Sequence, residues 1–465
     1  MDNQAKIPIR SKLSMAKSVD FNVGPKALEY VERDHAVVSP SYTRDYPFVM
    51  SHGKGAEVWD VDGRRYVDMT TGIAVNSTGH AHPKVVQAIK DQAEKFLHMA
   101  GTDFYYPSQI EFAEKLAATA PFAEAARVFL ANSGTEAVEG ALKLARYHTK
   151  RPQIIAFLNS FHGRSMGALS ATSSKPVQRA HYFPLIPGFT HVPYPNAYRP
   201  MLNMDGFTDY GERVVDYIEN VLFKTIIPAE EVAGVLVEPI QGEGGYVVPT
   251  PGFFPALRQL CDRYGIMLIT DEVQSGIGRT GKWWAIEHFG VEPDIIASAK
   301  GIASGMPLGA IIARESIMGH WEYGSHGTTF GGNPVSCAAG IATLDLLGDA
   351  HGKGGMIENA AEVGQYMMDA LEEIAPRHPS IGQIRGRGMM LGVELIKDQG
   401  TREPAKYLRD EVVHRAFNEG LLILGCGTST IRFMPPLNLE KPMADEALHI
   451  FDQALTAAEE AHGIR

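Results

Sequence analysis

From residue 127 onward the chain alternates short apolar runs with longer amphipathic ones, and this alternation constrains the fold more than any other feature. Arg127–Ala131, Ile154–Phe157, Val232–Glu238, Ile266–Asp271, Ile295–Ala299 and Leu308–Ala313 read as buried strands. Helices such as Glu136–His148 and Gly252–Tyr264 fill the connections. Strand–helix alternation predicts an α/β fold on a largely parallel sheet covered on both faces. Ligands of such sheets sit beyond the carboxyl ends of the strands, so the residues at those ends carry the functional reading.

The flanking regions have a different texture. Residues 1–45 read as an arm with a helix around Pro25–Arg33. Glu57–Val61 and Arg65–Met69 alternate around Asp62–Gly63, a hairpin with a tight-turn signal. A small-residue loop follows at Gly72–His80; His80 and His82 lack a third ligand, which favours loop stabilisation over a metal. Pro83–Leu97 and Pro107–Thr119 read as amphipathic helices. Beyond residue 335 come helices at Pro334–Leu347 and Met356–Ile374, strands at Ile384–Leu395 and Leu421–Leu424, and a closing helix at Ala444–Ala461. The expected division is an arm and hairpin over 1–70, a large domain over 71–335 and a smaller α+β domain over 336–465, joined by the hairpin.

Charge and cysteine usage exclude several function classes. A formal charge of −11 argues against nucleic-acid or anionic-membrane partners. Cys261, Cys337 and Cys426 are too scattered for a disulfide framework or a zinc site. Lys6, Arg10, Lys12 and Lys17 stand among polar residues, without the apolar stretch of a secretion signal, and no run reaches membrane-spanning length. The expectation is a cytoplasmic protein without a metal.

Chemistry gathers at the strand ends. In Pro293–Gly301 an apolar run ends in Lys300; such a lysine either snorkels to water or is held as a buried amine that can attack a carbonyl. Ser133–Gly134–Thr135 lies where a strand passes into a helix, which suits either an ordinary cap or a phosphate seat. In Phe161–His162–Gly163–Arg164 the aromatic can stack on a planar ring or join the core. Arg164 can grip a carboxylate or face water. Asp271 ends five mostly apolar residues and needs a cation or strong donor; a pyridinium nitrogen is one such partner. Gln274 can donate to a ring hydroxyl. Gly276–Gly281 matches a dinucleotide fingerprint, and with Lys282 nearly a triphosphate loop. Trp283 replaces the metal-binding hydroxyl, and no acidic residue ends the next strand, so both matches read as chance.

In order and spacing, six motifs resemble those of the class III aminotransferases. They are Ser133–Glu136, Phe161–Arg164, Glu238–Gly244, Asp271–Gly276, Lys300–Gly301 and Gly327–Pro334. The resemblance runs from about residue 45 to the end. It implies a fold-type I scaffold, with a mainly parallel seven-stranded-type sheet, and pyridoxal 5'-phosphate as cofactor. Lys300 would hold that cofactor as a Schiff base and shuttle protons. Asp271 would pair with the pyridine nitrogen, Gln274 with the phenolic oxygen, and Phe161 and Val273 would sandwich the ring. Ser133, Gly134 and Thr135 would seat the phosphate, with His162 and Glu238 completing the surroundings. Thr329 would reach the phosphate of a neighbouring protomer, which implies a homodimer with shared sites.

The same resemblance narrows the reaction. In the branch acting on 4-aminobutyrate and ornithine-like donors, an arginine matching Arg164 grips a carboxylate. A glutamate matching Glu243 pairs with an arginine matching Arg432 and swings aside when 2-oxoglutarate or glutamate enters. Ile73 and His162 lean towards a 4-aminobutyrate:2-oxoglutarate aminotransferase giving glutamate and a semialdehyde by ping-pong chemistry. An ornithine or acetylornithine aminotransferase is an alternative. Another is an amino-acid racemase or epimerase, because Pro40–Arg44 and Gly281–Gly290 look like a prokaryotic subgroup containing racemases. A racemase needs a second acid/base group opposite the lysine, supplied in that subgroup by an aspartate at the position of Glu243. Glutamate there favours transamination.

Overall fold

The computed structural model describes residues 20–348 and 355–465, so Lys6, Arg10, Lys12 and Lys17 lie outside the described residues. Helix Pro25–Val37 opens the described chain and runs four residues past its expected end. Strands β1 (Met50–Lys54), β2 (Glu57–Asp60) and β3 (Arg65–Asp68) form an antiparallel meander. The β2–β3 turn is tied by Asp60 Oδ1, which accepts from the amides of Asp62 at 3.0 Å and Arg64 at 2.8 Å. Helices Pro83–Lys95 and Pro107–Ala117 follow, each with proline in its first turn, where the missing N–H costs no intrahelical bond.

The central sheet gathers β4 (Ala126–Ala131), β5 (Gln153–Phe157), β6 (Phe189–Val192), β7 (Val232–Val237), β8 (Met267–Asp271), β9 (Ile295–Ser298) and β10 (Gly309–Arg314). Its order is β4-β10-β9-β8-β7-β5-β6. Neighbours run parallel except at β10, which is antiparallel to β4 and β9. Period-two alternation sends Ile154, Ala156, Ile269 and Ile295 to one face. There they pack with Ala137, Val138, Ala141 and Leu144 of helix Gly134–Thr149. Ile155, Phe157, Leu268 and Ile296 face the other way, with Phe253, Phe254, Leu257 and Leu260 of helix Phe253–Tyr264. Each such side chain contributes about 1.5–3 kcal/mol on burial, so both faces hold the sheet. The four-residue β6 was not anticipated, because Thr190 and His191 interrupt its apolar pattern.

Beyond helices Pro334–Leu347 and Met356–Ile374 the C-terminal strands depart from expectation twice. The stretch Ile384–Leu395, expected as one strand, is a hairpin of β11 (Ile381–Arg387) and β12 (Met390–Leu395) that turns at Gly388. The stretch Leu421–Leu424 is likewise divided. β13 (Leu421–Leu422) joins β3 in parallel, while β14 (Leu424–Cys426) pairs with β15 (Thr430–Phe433). The final sheet runs β11-β12-β15-β14 and is antiparallel throughout. Short apolar segments can serve either of two sheets, and the sequence pattern alone does not choose between them. Helices Lys406–Asn418 and Lys441–Ala461 complete the fold.

Candidate active site

The parallel strands end at one edge of the central sheet, and a cleft of about 420 Å³ opens there. Ser133, Gly134, Thr135, Phe161, His162, Arg164, Glu238, Glu243, Asp271, Val273, Gln274 and Lys300 all line it. Asp271 ends β8, and Lys300 follows the adjacent strand β9, with Asp271 in register with Ala297. Lys300 has a backbone φ of +50°, a conformation that a non-glycine residue holds only under constraint from its surroundings. Ser133 caps helix Gly134–Thr149, its Oγ accepting from the Glu136 amide at 3.4 Å. Gly134 permits a close approach, since a Cβ there would stand 2.7 Å from Val273 Cγ1.

Asp271 is held from two sides. Its Oδ1 accepts from the Val273 amide at 3.0 Å, and its Oδ2 from His162 Nδ1 at 2.7 Å. Glu238 accepts from the amides of Phe161 at 3.3 Å and Gly242 at 3.0 Å. Burial pushes its carboxyl up to about 7, and nearby Asp271 adds to the shift. Burial also drives the Lys300 ammonium below its ordinary pKa, against the pull of Glu243 and Asp271. The site therefore offers a nitrogen more easily deprotonated than a surface lysine.

An adjoining hollow of about 440 Å³ shares Phe161, Arg164, Glu243, Gln274 and Lys300 with the first and adds Ile73 and Arg432. Arg432 comes from β15 of the C-terminal sheet and donates from Nη1 to Glu243 Oε1. Burial works to raise the Glu243 pKa, but Arg432 and Lys175 hold it below the usual carboxylate range. Arg164 is exposed, its guanidinium 5.6 Å from the Phe161 ring centre. Ile73 sits in a run of four left-handed residues, Thr71 to Ala74, with φ of 47°, 64°, 68° and 60°. Asp68 anchors that run, its Oδ1 accepting from Thr70 N at 2.7 Å and Thr71 N at 3.0 Å, while His80 Nε2 meets Oδ2 at 2.7 Å. Thr329 is exposed and lines neither hollow.

Sequence reasoning missed three cations around this region. Lys175 lies 3.6 Å from Glu243, and Arg409 lines the outer hollow. Arg385 of β11 donates from Nε and Nη2 to the Gly245 carbonyl at 2.9 and 2.7 Å, strapping the Glu243 loop to the C-terminal sheet. No local pattern marks them; only the tertiary fold brings them near. Arg279, within the glycine-rich segment read as a chance match, is buried and donates to the carbonyls of Met389 at 3.3 Å and Pro435.

The family model for class III aminotransferases matches residues 38–455. An alanine/serine racemase of Pyrococcus horikoshii is 41% identical over 93% of this chain and 91% of its own length. A 4-aminobutyrate aminotransferase of Mycobacterium leprae is 37% identical, over 93% of this chain and 96% of its own. A solved (S)-enantioselective omega-transaminase from Thermomicrobium roseum superposes with a TM-score of 0.84 at 32% identity, covering 94% of this chain and 98% of that one. The chain belongs to the class III aminotransferase family, as its motifs indicated, and its seven-stranded sheet is the fold-type I arrangement. It is a pyridoxal-phosphate-dependent enzyme.

The residues present suit that cofactor. A helix N-terminus with small residues favours an anion, and a buried carboxylate favours a protonated ring nitrogen. Gln274 Oε1 is buried with no hydrogen-bond partner among the described residues, leaving a polar atom for a ligand to meet. Among the described residues no helix is long and apolar enough to cross a membrane.

Proposed function

We propose that this chain is an aminotransferase moving the amino group of 4-aminobutyrate, or a similar ω-amino acid, to 2-oxoglutarate, with glutamate and a semialdehyde as products. The observation that carries this reading is the Glu243–Arg432 pair, largely shielded from solvent beside Lys300, with Arg164 lining the same hollow. Arg164 would hold the donor's carboxylate while the pair stays closed. A dicarboxylate would then take Arg432 as Glu243 moves aside. One cavity thus accepts two charge patterns.

Lys300 would bind the cofactor covalently, Asp271 would face its ring nitrogen, and Phe161 and Val273 would lie on its two faces. Gln274 would meet its phenolic oxygen, and Ser133, Gly134 and Thr135 would seat its phosphate, with His162 and Glu238 around the ring. When bound, pyridoxal phosphate supplies an electron sink for the carbon that carries the substrate nitrogen. Lys300 Nζ, its charged form disfavoured by burial, would take the proton from that carbon and return it. Residues 71–335 would form the cofactor-binding domain, with 1–70 and 336–465 in the smaller one. We also read the protein as a cytoplasmic homodimer in which Thr329 of one protomer reaches the cofactor phosphate of its partner.

A racemase or epimerase is the second reading, supported by the 41% identity to the Pyrococcus horikoshii racemase. Glu243 weighs against it, because its carboxylate is engaged by Arg432 rather than free to serve as an acid/base. Incubation with 4-aminobutyrate and 2-oxoglutarate is expected to yield glutamate. Interconversion of single amino-acid enantiomers without a keto acid, and no glutamate, would overturn the proposal. A panel including ornithine and acetylornithine sets the donor's length.

A further inference from the structure

Glu243 stands between two cations of different character. Its Oε1 accepts from Arg432 Nη1, and its Oε2 lies 3.6 Å from Lys175 Nζ. The Arg432 side chain is 5% exposed and fixed in a strand, whereas that of Lys175 is 43% exposed at the mouth of the hollow. Arg432 Nε is buried and has no hydrogen-bond partner among the described residues, so Glu243 does not use the whole donor set of the guanidinium.

A dicarboxylate that takes Arg432 must displace Glu243. Stripping a largely buried carboxylate of its counter-ion is strongly unfavourable, and the exchange needs a second cation within reach. Arg409 already serves the Asp410 carboxylate and the carbonyls of Gly427 and Thr428. Arg164 lies against the Phe161 ring. Lys175 alone of these three is paired with Glu243 in the closed arrangement. Its unbranched stem can follow the carboxylate outward to where water solvates the new pair.

Resting on the switch reading above, we propose that Lys175 is the receiving cation for Glu243 when a dicarboxylate occupies Arg432. That makes Lys175 a specificity-determining residue for the acceptor half of the reaction. It acts through Glu243 and not by holding substrate.

Two unreactive probes separate these roles: glutarate, which needs both Arg164 and Arg432, and butyrate, which needs only one cation. Each is titrated calorimetrically into holoenzyme of the wild type, Lys175→Met, Glu243→Gln and the double variant. Lys175→Met is expected to weaken glutarate at least 10-fold and butyrate less than 2-fold, and Lys175→Arg to restore glutarate to within about 3-fold. In the Glu243→Gln background, where no displaced charge needs a partner, adding Lys175→Met is expected to change glutarate by less than 2-fold. Equal weakening of both probes, or of glutarate with and without Glu243, would mean that Lys175 touches the ligand itself and would overturn the proposal. No effect of Lys175→Met, while Glu243→Gln still shifts the glutarate-to-butyrate ratio, would overturn it and leave the switch standing. An unchanged ratio in Glu243→Gln would sink the switch reading and this proposal together.

Discussion

His162 donates from Nδ1 to Asp271 Oδ2 over 2.7 Å, with both side chains buried, although one follows β5 and the other ends β8. The bond fixes the carboxylate that is read here as the partner of the ring nitrogen. Hydrogen bonds to charged groups contribute about 1.5–3 kcal/mol. His162→Phe should therefore lower kcat/KM by about 10- to 100-fold and shift the visible absorption band of the holoenzyme. An unchanged spectrum and rate would show that Asp271 needs no such support.

Gly134→Ala tests the helix mouth. The added methyl would meet Val273 Cγ1 at 2.7 Å, and overpacking of this kind costs about 1–3 kcal/mol. We expect roughly 10-fold weaker cofactor affinity, read by fluorescence titration of the apoenzyme, with the thermal midpoint of the apoenzyme nearly unchanged. A large loss of apoenzyme stability would place the strain in the fold and not at the cofactor seat.

The left-handed run from Thr71 to Ala74 persists because Asp68 anchors its start. Left-handed backbone at non-glycine residues is unfavourable, by about 1 kcal/mol or more each. Asp68→Asn weakens the anchor and is expected to raise KM through a displaced Ile73, with a stability loss of about 1.5–3 kcal/mol in urea unfolding. Stability lost with KM unchanged would detach Ile73 from substrate binding.

His378 gives the protein a pH-dependent staple. Its Nδ1 meets Glu459 Oε2 at 2.7 Å and its Nε2 meets Asp452 Oδ1 at 2.6 Å, tying the start of β11 to the C-terminal helix. Arg377 also reaches Asp452, at 2.8 Å, and Ser380 bonds Glu459. Burial opposes the imidazolium, yet the two carboxylates raise its pKa above 6.5. The folded state thus binds this proton more tightly than the unfolded chain. The contribution is complete below pH 6.5 and fades as pH rises through the folded value. Against His378→Gln, the wild type should show a larger advantage in thermal midpoint at pH 6 than at pH 9. An equal advantage at both would show that the charge plays no part.

Strands whose apolar runs end in a single polar residue were legible from the sequence, Asp271 and Lys300 above all, because burial cost makes such residues conspicuous. The Ser133–Thr135 segment at the mouth of the cleft was legible for a related reason, since small residues between a strand and a helix have few uses. Lys175, Arg385 and the Asp68 anchor were not. Each is an ordinary charged residue in an ordinary context, and its partner lies on another element. The division of Leu421–Cys426 between two sheets was hidden because Ile423 continues the apolar run through the crossing.

Arg432 rides on β15, whereas Asp271 and Lys300 belong to β8 and to the turn after β9. On the proposed reading, selecting a molecule and transforming it are thus mounted on separate scaffolds that meet at the Glu243–Arg432 pair. If that reading holds, a lineage could retune its diet by altering the outer scaffold while Lys300 and Asp271 stay where they were.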